Sequence, residues 1–381
     1  MSEGWDHAGR LGRAQAGLRD RGADGLVIGL GADLRYLTGH RAPALERLTA
    51  LVLPARGAAT LLAPRLEAMA AAGCPAARDG VLEVVAWDET DDPYRLVAHR
   101  LAASLGGSAP WLLVNADLPA RHLLELQRAL PVASFALGDE VLGELRVVKE
   151  PAEVERLRRA AAAADRTIAS IAAGRLVGRT EADVSHEVRE RLVAEGHDEA
   201  SFAIVGSGPN SASPHHEPGD RVIGPGEPVV LDIGGTLDGY GSDITRTFWV
   251  TGPDGSIGPD PQFVELFELV RRAQAAATAA VRPGITCEAL DAVARRVIGE
   301  AGRADEFLHR LGHGIGLEAH EAPYLVAGND TPLRPGMAFR IEPGIYVAGR
   351  WGARIEDIVV CGEDGPIVLN EAGRDLYVVP G

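Results

Sequence analysis

Short apolar runs alternate with amphipathic stretches over the first 146 residues of the chain. The stretch from Leu11 to Arg21 repeats apolar residues at helical spacing and predicts a helix. Short buried strands are predicted where apolar residues stand together, at Leu26 to Ile28, Ala50 to Leu53, Thr60 to Leu62, Leu82 to Val85 and Leu112 to Val114. Helical stretches lie between some of these strands. The pattern therefore predicts an α/β domain over residues 1–146.

Longer helices are predicted from Pro151 onward. Proline at this position suits the first turn of a helix. Apolar residues then recur at helical spacing, at Val154, Leu157, Ala161, Ala164, Ile168 and Ile171. Thr180 and Asp183 resemble a capping box for a second helix, which Gly196 would end. The change of pattern predicts a second domain over residues 147–381.

The order of elements in this second domain repeats loosely. In each copy two helices precede a pair of strands. The predicted strand pairs are Val229 to Ile233 with Thr245 to Val250, and Ala338 to Glu342 with Arg354 to Val360. The helices of the second copy are Pro261 to Ala280 and Glu288 to Ala301. Val205-Gly-Ser-Gly-Pro209 lacks the spacing of a nucleophile elbow and is interpreted as a loop. The order predicts an internal pseudo-two-fold.

The composition and charge of the chain exclude some classes of binding partner. Its 381 residues are 46% hydrophobic and 24% charged, as in ordinary globular proteins. The net charge of −16 argues against binding to nucleic acid or to an anionic membrane. Met1 to Leu18 has no apolar core of a signal peptide, and no apolar run is long enough to span a bilayer. We therefore expect a cytoplasmic protein.

Each predicted strand pair carries two acidic residues in an apolar setting. The first pair has Asp232 and Asp243, and the second has Glu342 and Glu356. Buried carboxylates are costly without a compensating cation, and strands disfavour Asp. Acids on adjacent antiparallel strands can point to the same face, with side chains about 5 Å apart. Because such carboxylates would repel one another, the pattern predicts a centre for two divalent cations.

A histidine is expected to join these acids. His313 lies between Gly312 and Gly314, which let the backbone approach a ligand closely. A neutral imidazole among carboxylates suits Mn, Co, Fe or Zn better than Ca or Mg. Two metals roughly 3.5–4 Å apart can share a water and lower its pKa toward neutrality. The predicted chemistry is therefore hydrolysis.

The motifs around these residues are specific in combination. The chain resembles the creatinase, prolidase and aminopeptidase P branch of the pita-bread (M24) metallopeptidase family. The resemblance rests on Asp238-Gly-Tyr-Gly-Ser-Asp-Ile-Thr-Arg-Thr-Phe248 and Gly312-His-Gly-Ile-Gly-Leu-Glu-Ala-His-Glu-Ala-Pro323, with Arg35-Tyr-Leu-Thr-Gly39 in the N-terminal part. It covers nearly the whole chain. It implies a creatinase-like α/β N-terminal domain and an α+β pita-bread catalytic domain with a curved antiparallel sheet.

The resemblance also implies roles for individual residues. Metal ligands would be Asp232, Asp243, His313, Glu342 and Glu356, with Asp243 and Glu356 bridging two ions. His320 is similar to a histidine that polarises the scissile carbonyl or steers protons. His215 is similar to a histidine that contacts substrate near the leaving group, a role that the neighbouring His216 could also fill. Arg354 is similar to an arginine beside the metal site that binds a carboxylate or supports a ligand.

The function implied is hydrolysis of the bond between an N-terminal residue and proline. The expected protein is an Xaa-Pro dipeptidase with two divalent ions per subunit, with Mn preferred over Co, Zn or Fe, and it would be a homodimer. Four alternatives stay open. They are an Xaa-Pro aminopeptidase acting on longer peptides, a metal-free creatinase-type amidinohydrolase, a methionine aminopeptidase, and a non-enzymatic binding module on the same fold.

Overall fold

The structure, a computed structural model, describes residues 5–102, 109–252 and 255–381. The chain divides into two units, Met1–Arg146 and Val147–Gly381. Each unit has its own sheets and helices. Among the described helices, none combines the length and the apolar character that a bilayer crossing needs.

The N-terminal unit is built around one mixed sheet. Its strands are β1 (Gly25–Ile28), β2 (Ala50–Pro54), β3 (Ala59–Pro64), β4 (Leu82–Trp87), β5 (Trp111–Val114) and β6 (Ser134–Leu137). Its helices are α1 (His7–Arg21), α2 (Ala32–Thr38), α3 (Ala68–Ala72), α4 (Pro75–Arg78), α5 (Pro93–Leu101), α6 (Ala120–Ala129) and α7 (Asp139–Val147). The strand order is β4-β3-β2-β1-β5-β6, with β2 antiparallel to both β1 and β3.

The strands predicted from apolar runs in this unit are present, each extended by one to three residues. Their burial is nearly complete in β1, β2 and β3, which explains why each was visible as a continuous apolar run. The first helix begins at His7 rather than Leu11, because the Asp6 side chain accepts a hydrogen bond from Gly9 N and caps it. Strand β6 was not predicted, and its residues are only half-buried or exposed.

The C-terminal unit contains four long helices and a larger set of strands in the part of the chain that the structure describes. The helices are α8 (Pro151–Ala172), α9 (Glu181–Ala194), α10 (Pro261–Ala280) and α11 (Cys287–Glu300). The strands are β7 (Glu199–Ser207), β8 (Glu227–Leu237), β9 (Tyr240–Val250), β10 (Gly312–Gly314), β11 (Glu321–Leu325), β12 (Ala338–Ile341), β13 (Gly344–Val347), β14 (Trp351–Arg354), β15 (Asp357–Cys361), β16 (Pro366–Val368) and β17 (Tyr377–Val379).

The helix starts in this unit follow local chemistry. Helix α8 has Pro151 at its first turn and a capping box formed by Glu150 and Glu153. Helix α9 has the predicted capping box of Thr180 and Asp183. Because these signals lie within a few residues of the helix start, the sequence alone located both helices.

The predicted repeat of element order is present. Helices α8 and α9 precede the sheet β17-β9-β8-β7, and helices α10 and α11 precede the sheet β11-β10-β12-β15-β16. An isolated bridge between Thr245 and Glu356 joins the two sheets. Each copy has its own apolar core. One core contains Ile168, Val188, Leu231 and Ile244, and the other contains Phe267, Leu290, Phe339 and Val359.

The interpretation of Val205 to Pro209 as a loop was wrong for its first half. Strand β7 continues to Ser207 and pairs along its length with β8, for example Val205 with Leu231. Only from Gly208 does the chain leave the sheet, in a short 3-10 turn. Strand pairing between distant segments, which a local turn signal cannot report, fixes this element.

Candidate metal centre

The hairpin of β8 and β9 places the first two acids. Asp232 pairs with Thr245, and Asp243 pairs with Gly234. Asp232 and Asp243 are therefore diagonal neighbours on one face of the hairpin, two residues out of direct register. Gly234 carries no side chain, and a Cβ there would collide with Ser242 O and the Phe202 ring. The close packing around Gly234 keeps the two acids beside each other.

The second pair of acids lies at breaks between strands, not inside them as expected. Glu342 follows the end of β12, and Glu356 precedes β15. At these points the chain passes from the large sheet to the small hairpin of β13 and β14. The Glu356 amide donates to Thr245 O (3.2 Å), and Thr245 Oγ1 donates to Glu356 Oε2 (2.6 Å). These bonds tie the second pair to the strand that carries the first.

His313 lies on the short strand β10, where the register shifts at Gly314. A Cβ at Gly312 or Gly314 would collide with the backbone carbonyl of Arg340 or Ala322. The glycines are therefore needed for close approach of the strands, as the sequence suggested. His313 Nε2 lies 3.6 Å from Glu342 Oε1. Burial lowers the pKa of His313 to about 3, so the imidazole is neutral, as a metal ligand must be.

Three of the predicted ligands converge closely. Carboxylate oxygens of Asp232, Asp243 and Glu356 lie within 4.8 Å of one another, and all three residues are buried. Asp232 Oδ1 and Asp243 Oδ1 have no hydrogen-bond partner among the described residues. Burial, together with the neighbouring carboxylates, raises the pKa of both Glu342 and Glu356. Since unpaired buried carboxylates are unstable without a cation, this donor set fits divalent metal ions.

Arg354 supports Asp232, the first of the predicted ligands. Its Nη2 donates to Asp232 Oδ2 (2.5 Å), its Nη1 donates to Tyr346 Oη (2.8 Å), and its Nε donates to Thr245 Oγ1 (3.1 Å). The side chain is only 3% exposed. These bonds hold Asp232 Oδ2, so the unpartnered Oδ1 is the oxygen free to bind a metal.

Arg340 lies among the predicted ligands, a position that the sequence did not suggest. Its guanidinium contacts the Asp243 carboxylate and lies 3.2 Å from Glu356 Oε1. Its Nη2 also lies 3.0 Å from His313 Nδ1. The only available signal was an arginine two residues before Glu342, in an otherwise apolar strand.

A cavity of about 320 Å³ opens onto these residues. It is bounded on one side by Asp232, His313, Glu342, Arg340 and Arg354, and on the other by Phe202, Ile204, Pro214, His215, His309, Arg310 and His320. The volume lies in the range of small-molecule sites. The His320 ring stacks on His313, with 3.8 Å between ring centroids and 21° between planes. Burial lowers the pKa of His320, which favours its neutral form.

His215 and His216 face different surroundings. His215 lines the cavity, whereas His216 Nε2 lies 2.7 Å from Glu181 Oε2. Glu181 is fully buried and also accepts hydrogen bonds from the amide and hydroxyl of Ser207 and from Asn210. Burial raises the pKa of Glu181, but these hydrogen bonds outweigh it and leave the pKa lowered. Glu181 therefore anchors the segment that carries His215.

His309 is a cavity residue that the sequence analysis missed. Its Nε2 lies 2.8 Å from Tyr346 Oη, which also accepts from Arg354. Burial lowers the pKa of His309 to about 4. The signal that could have found it is its position four residues before His313, in His309-Arg-Leu-Gly-His313.

Comparison with known proteins identifies the family of the chain. The model of metallopeptidase family M24 matches residues 155–363, and the creatinase/prolidase N-terminal domain matches residues 10–148. The chain belongs to metallopeptidase family M24, which confirms the predicted family. The creatinase-like N-terminal domain and the pita-bread catalytic domain are also confirmed.

Individual relatives match over nearly their full length. "Probable dipeptidase PepE" of Mycobacterium tuberculosis is 51% identical over 375 residues, which cover 98% of this chain and 97% of the relative. "Xaa-Pro dipeptidase" of Lactobacillus helveticus is 35% identical, with 97% and 99% covered. The crystal structure of dipeptidase PepE from Mycobacterium ulcerans has a TM-score of 0.91 at 50% identity, covering 99% of this chain and 100% of that one.

Proposed function

We propose that this chain is a metal-dependent Xaa-Pro dipeptidase, which hydrolyses the bond between an N-terminal residue and proline. The observation that carries the proposal is the convergence of three buried carboxylates beside the cavity, each with an oxygen that has no hydrogen-bond partner among the described residues. Relatives named dipeptidase and Xaa-Pro dipeptidase support the substrate class. The proposed ligands are Asp232, Asp243, His313, Glu342 and Glu356.

The cofactor proposed is a pair of divalent ions per subunit, with Mn preferred and Co, Zn or Fe as alternatives. The neutral His313 among oxygen ligands supports a transition metal over Ca or Mg. We also propose residues 1–146 and 147–381 as the two domains, a homodimer and a cytoplasmic location. The family resemblance supports the dimer, and the acidic composition agrees with a soluble protein.

The side chains of the cavity suit a short substrate. Bound metal would polarise the scissile carbonyl and lower the pKa of a water. His320 and His215 line the cavity, and we propose that they hold the carbonyl and the leaving nitrogen. Phe202, Ile204 and Pro214 offer an apolar wall for the proline ring.

A further side chain suits the end of a dipeptide. Arg310 lines the cavity, with its guanidinium 4.6 Å from the centroid of the Tyr324 ring. Arginine pairs well with carboxylate, so a dipeptide's terminal carboxylate has a partner at Arg310. A longer peptide would place an uncharged amide there instead. The position of Arg310 in the cavity therefore supports a dipeptidase over an aminopeptidase.

Metal-stripped protein reloaded with Mn should release alanine from Ala-Pro faster than from Ala-Pro-Ala. We expect kcat/KM to differ by about tenfold or more, because the longer peptide leaves the Arg310 guanidinium without its carboxylate partner. The measurement is release of alanine from both peptides at equal concentration. Arg310→Met should reduce this preference.

Equal or faster cleavage of Ala-Pro-Ala would show that the enzyme is an aminopeptidase. Cleavage of neither peptide, with Mn bound, would contradict the proposed activity. It would leave another amide substrate or a binding module.

Glu181→Gln should lower kcat/KM for Ala-Pro by about tenfold or more while the metal content stays constant, because misplacing a substrate-contacting group is costly. The change removes the charge that holds His216 and weakens the bonds to Ser207 and Asn210. His215 would then lose its fixed position. Steady-state kinetics and metal analysis check this result.

A matched control lies on the same helix. Glu190 is exposed and pairs only loosely with His186, at 3.3 Å. Glu190→Gln should leave both KM and kcat as in the unmodified protein. A Glu181→Gln variant with unchanged kinetics would contradict the anchoring role of Glu181.

A further inference from the structure

The Arg340 side chain lies inside the proposed metal centre, in contact with the predicted ligands themselves. It projects from β12 and is 5% exposed. Its guanidinium contacts the Asp243 carboxylate and is 3.2 Å from Glu356 Oε1, and both residues are proposed to bridge two ions. On the far side, its Nη2 approaches His313 Nδ1 at 3.0 Å and Ala319 O at 3.5 Å. The guanidinium therefore lies between His313 and the carboxylates of Asp243 and Glu356.

The charges at this centre nearly balance with one metal ion. Asp232, Asp243, Glu342 and Glu356 carry four negative charges when ionised as ligands. The guanidiniums of Arg340 and Arg354 are buried against them and carry two positive charges. One divalent ion neutralises the remainder. A second ion would leave a buried excess of positive charge, which is costly.

The two contacts of His313 Nδ1 require different tautomers of the imidazole. A guanidinium has donors only, so contact with Arg340 requires Nδ1 without a proton and places the proton on Nε2. A protonated Nε2 is not a metal ligand. His313 Nδ1 also lies 3.0 Å from Gly314 O, a bond that only a protonated Nδ1 can donate. In that second state Nε2 has a free lone pair and faces Glu342 Oε1 at 3.6 Å.

We propose that Arg340 acts as an internal cation that competes with the second metal ion. The first ion binds to Asp232, Asp243 and Glu356, whose oxygens already converge. The second ion, at His313 and Glu342, binds only when the guanidinium withdraws from His313. This inference rests on the proposed metal centre. It assigns to Arg340 the control of metal occupancy.

Metal-stripped protein should bind one Mn²⁺ tightly and a second only weakly. Calorimetric titration would give the two affinities, and electron paramagnetic resonance would show isolated Mn²⁺ after the first equivalent. Arg340→Met has a similar length without charge or donors. It should tighten the second ion by about tenfold or more, the scale on which groups around metal ligands act. Its spectrum should show an exchange-coupled pair at two equivalents.

Two further variants complete the test. Arg310→Met removes a positive charge from the same cavity, but Arg310 forms no salt bridge to these carboxylates among the described residues, so its second ion should stay weak. If circular dichroism shows that Arg340→Met is misfolded, Arg340→Gln replaces it in the experiment. Arg340→Gln should also tighten binding of the second ion.

Two equally tight ions in the unmodified protein, with no change in Arg340→Met, would overturn the role of Arg340 while leaving the proposed hydrolysis intact. Tightening by Arg310→Met to the same extent would also overturn it, because bulk charge would then explain the effect. Absence of Mn²⁺ binding in every variant would overturn the metal centre itself and, with it, the proposed function.

Discussion

Asp243→Asn should lower kcat for Ala-Pro by about a thousandfold or more, because metal-centred stabilisation contributes several kcal/mol to the transition state. Asp243 is fully buried on β9, and its oxygens converge with those of Asp232 and Glu356. Asparagine keeps the shape but offers a single weaker donor oxygen, so it cannot bridge two ions. The measurements are steady-state kinetics with Mn and metal content per chain.

Stability without metal gives a second readout for the same variant. In metal-free protein the neighbouring acids repel the Asp243 carboxylate while the Arg340 guanidinium pairs with it, so neutralising Asp243 should leave the Tm without metal nearly unchanged. Mn should raise the Tm of the unmodified protein, because it binds only the folded state. We expect this rise to be much smaller in Asp243→Asn. A merely misfolded variant would instead have a lower Tm without metal.

Asp238→Asn is the matched control on the same hairpin. Asp238 forms the turn between β8 and β9, is about half exposed (51%) and has a φ of 48°. Asparagine tolerates this left-handed conformation, so both activity and Tm should stay close to those of the unmodified protein. Full Mn-dependent turnover by Asp243→Asn would show that the two-metal assignment is wrong.

Elements with local signals were predictable from the sequence. The capping box at Thr180 and Asp183 lies within one turn of the helix it begins, and Pro151 marks the start of α8. The buried strands of the N-terminal unit appear as apolar runs because both faces are covered. In such cases a short window of sequence contains the physical cause of the element.

Elements fixed by distant pairing were not predictable in the same way. Strand β7 begins with exposed and half-buried residues and ends at Gly206-Ser207, and Gly208-Pro209 follows directly, which suggests a loop. Its pairing with β8 makes it a strand. Similarly, the breaks at Glu342 and Glu356 arise because the chain moves between two sheets. Pro343-Gly344 directly after Glu342 is a local sign of a break, whereas the apolar pattern around Glu356 is continuous and gives none.

The residues of the candidate site also differ in whether local sequence could predict them. The proposed ligands were recognisable because each lies in a distinctive motif. Arg340, His309 and Glu181 were missed, because their positions depend on which strands and loops meet around the cavity. An arginine in an apolar strand ordinarily points to solvent. Only the structure places the Arg340 guanidinium against Asp243.

Arg246→Met should lower the free energy of unfolding by about 3–5 kcal/mol, because it removes one partner of a buried ion pair and the donors to several buried backbone carbonyls. Arg246 lies on β9, is 1% exposed, and donates from Nη2 to Asp357 Oδ1 at 2.7 Å. The other N–H groups reach backbone carbonyls of Thr245, Glu356, Ala372 and Gly373 at 2.7–2.9 Å. Urea unfolding with and without the substitution measures the change.

The extent of this network explains why lysine should not restore stability. A single ammonium cannot reach acceptors on several sides as a planar guanidinium does. Arg246→Lys should therefore stay well below the unmodified protein. Asp357 retains bonds from Gln274 and Arg374, at 2.8 and 2.6 Å, so it remains partly satisfied.

A surface arginine provides the comparison. Arg271 pairs with Glu268 one helical turn away and is 41% exposed, so Arg271→Met should change stability little. If Arg246→Met were as mild as Arg271→Met, the buried pair would not stabilise the fold. If Arg246→Met strongly lowers stability, it should also weaken metal binding. Arg246 holds the Glu356 carbonyl, and the neighbouring Thr245 hydroxyl holds the Glu356 carboxylate. Mn affinity should then fall together with stability, because the same bonds fix the strand and the ligand.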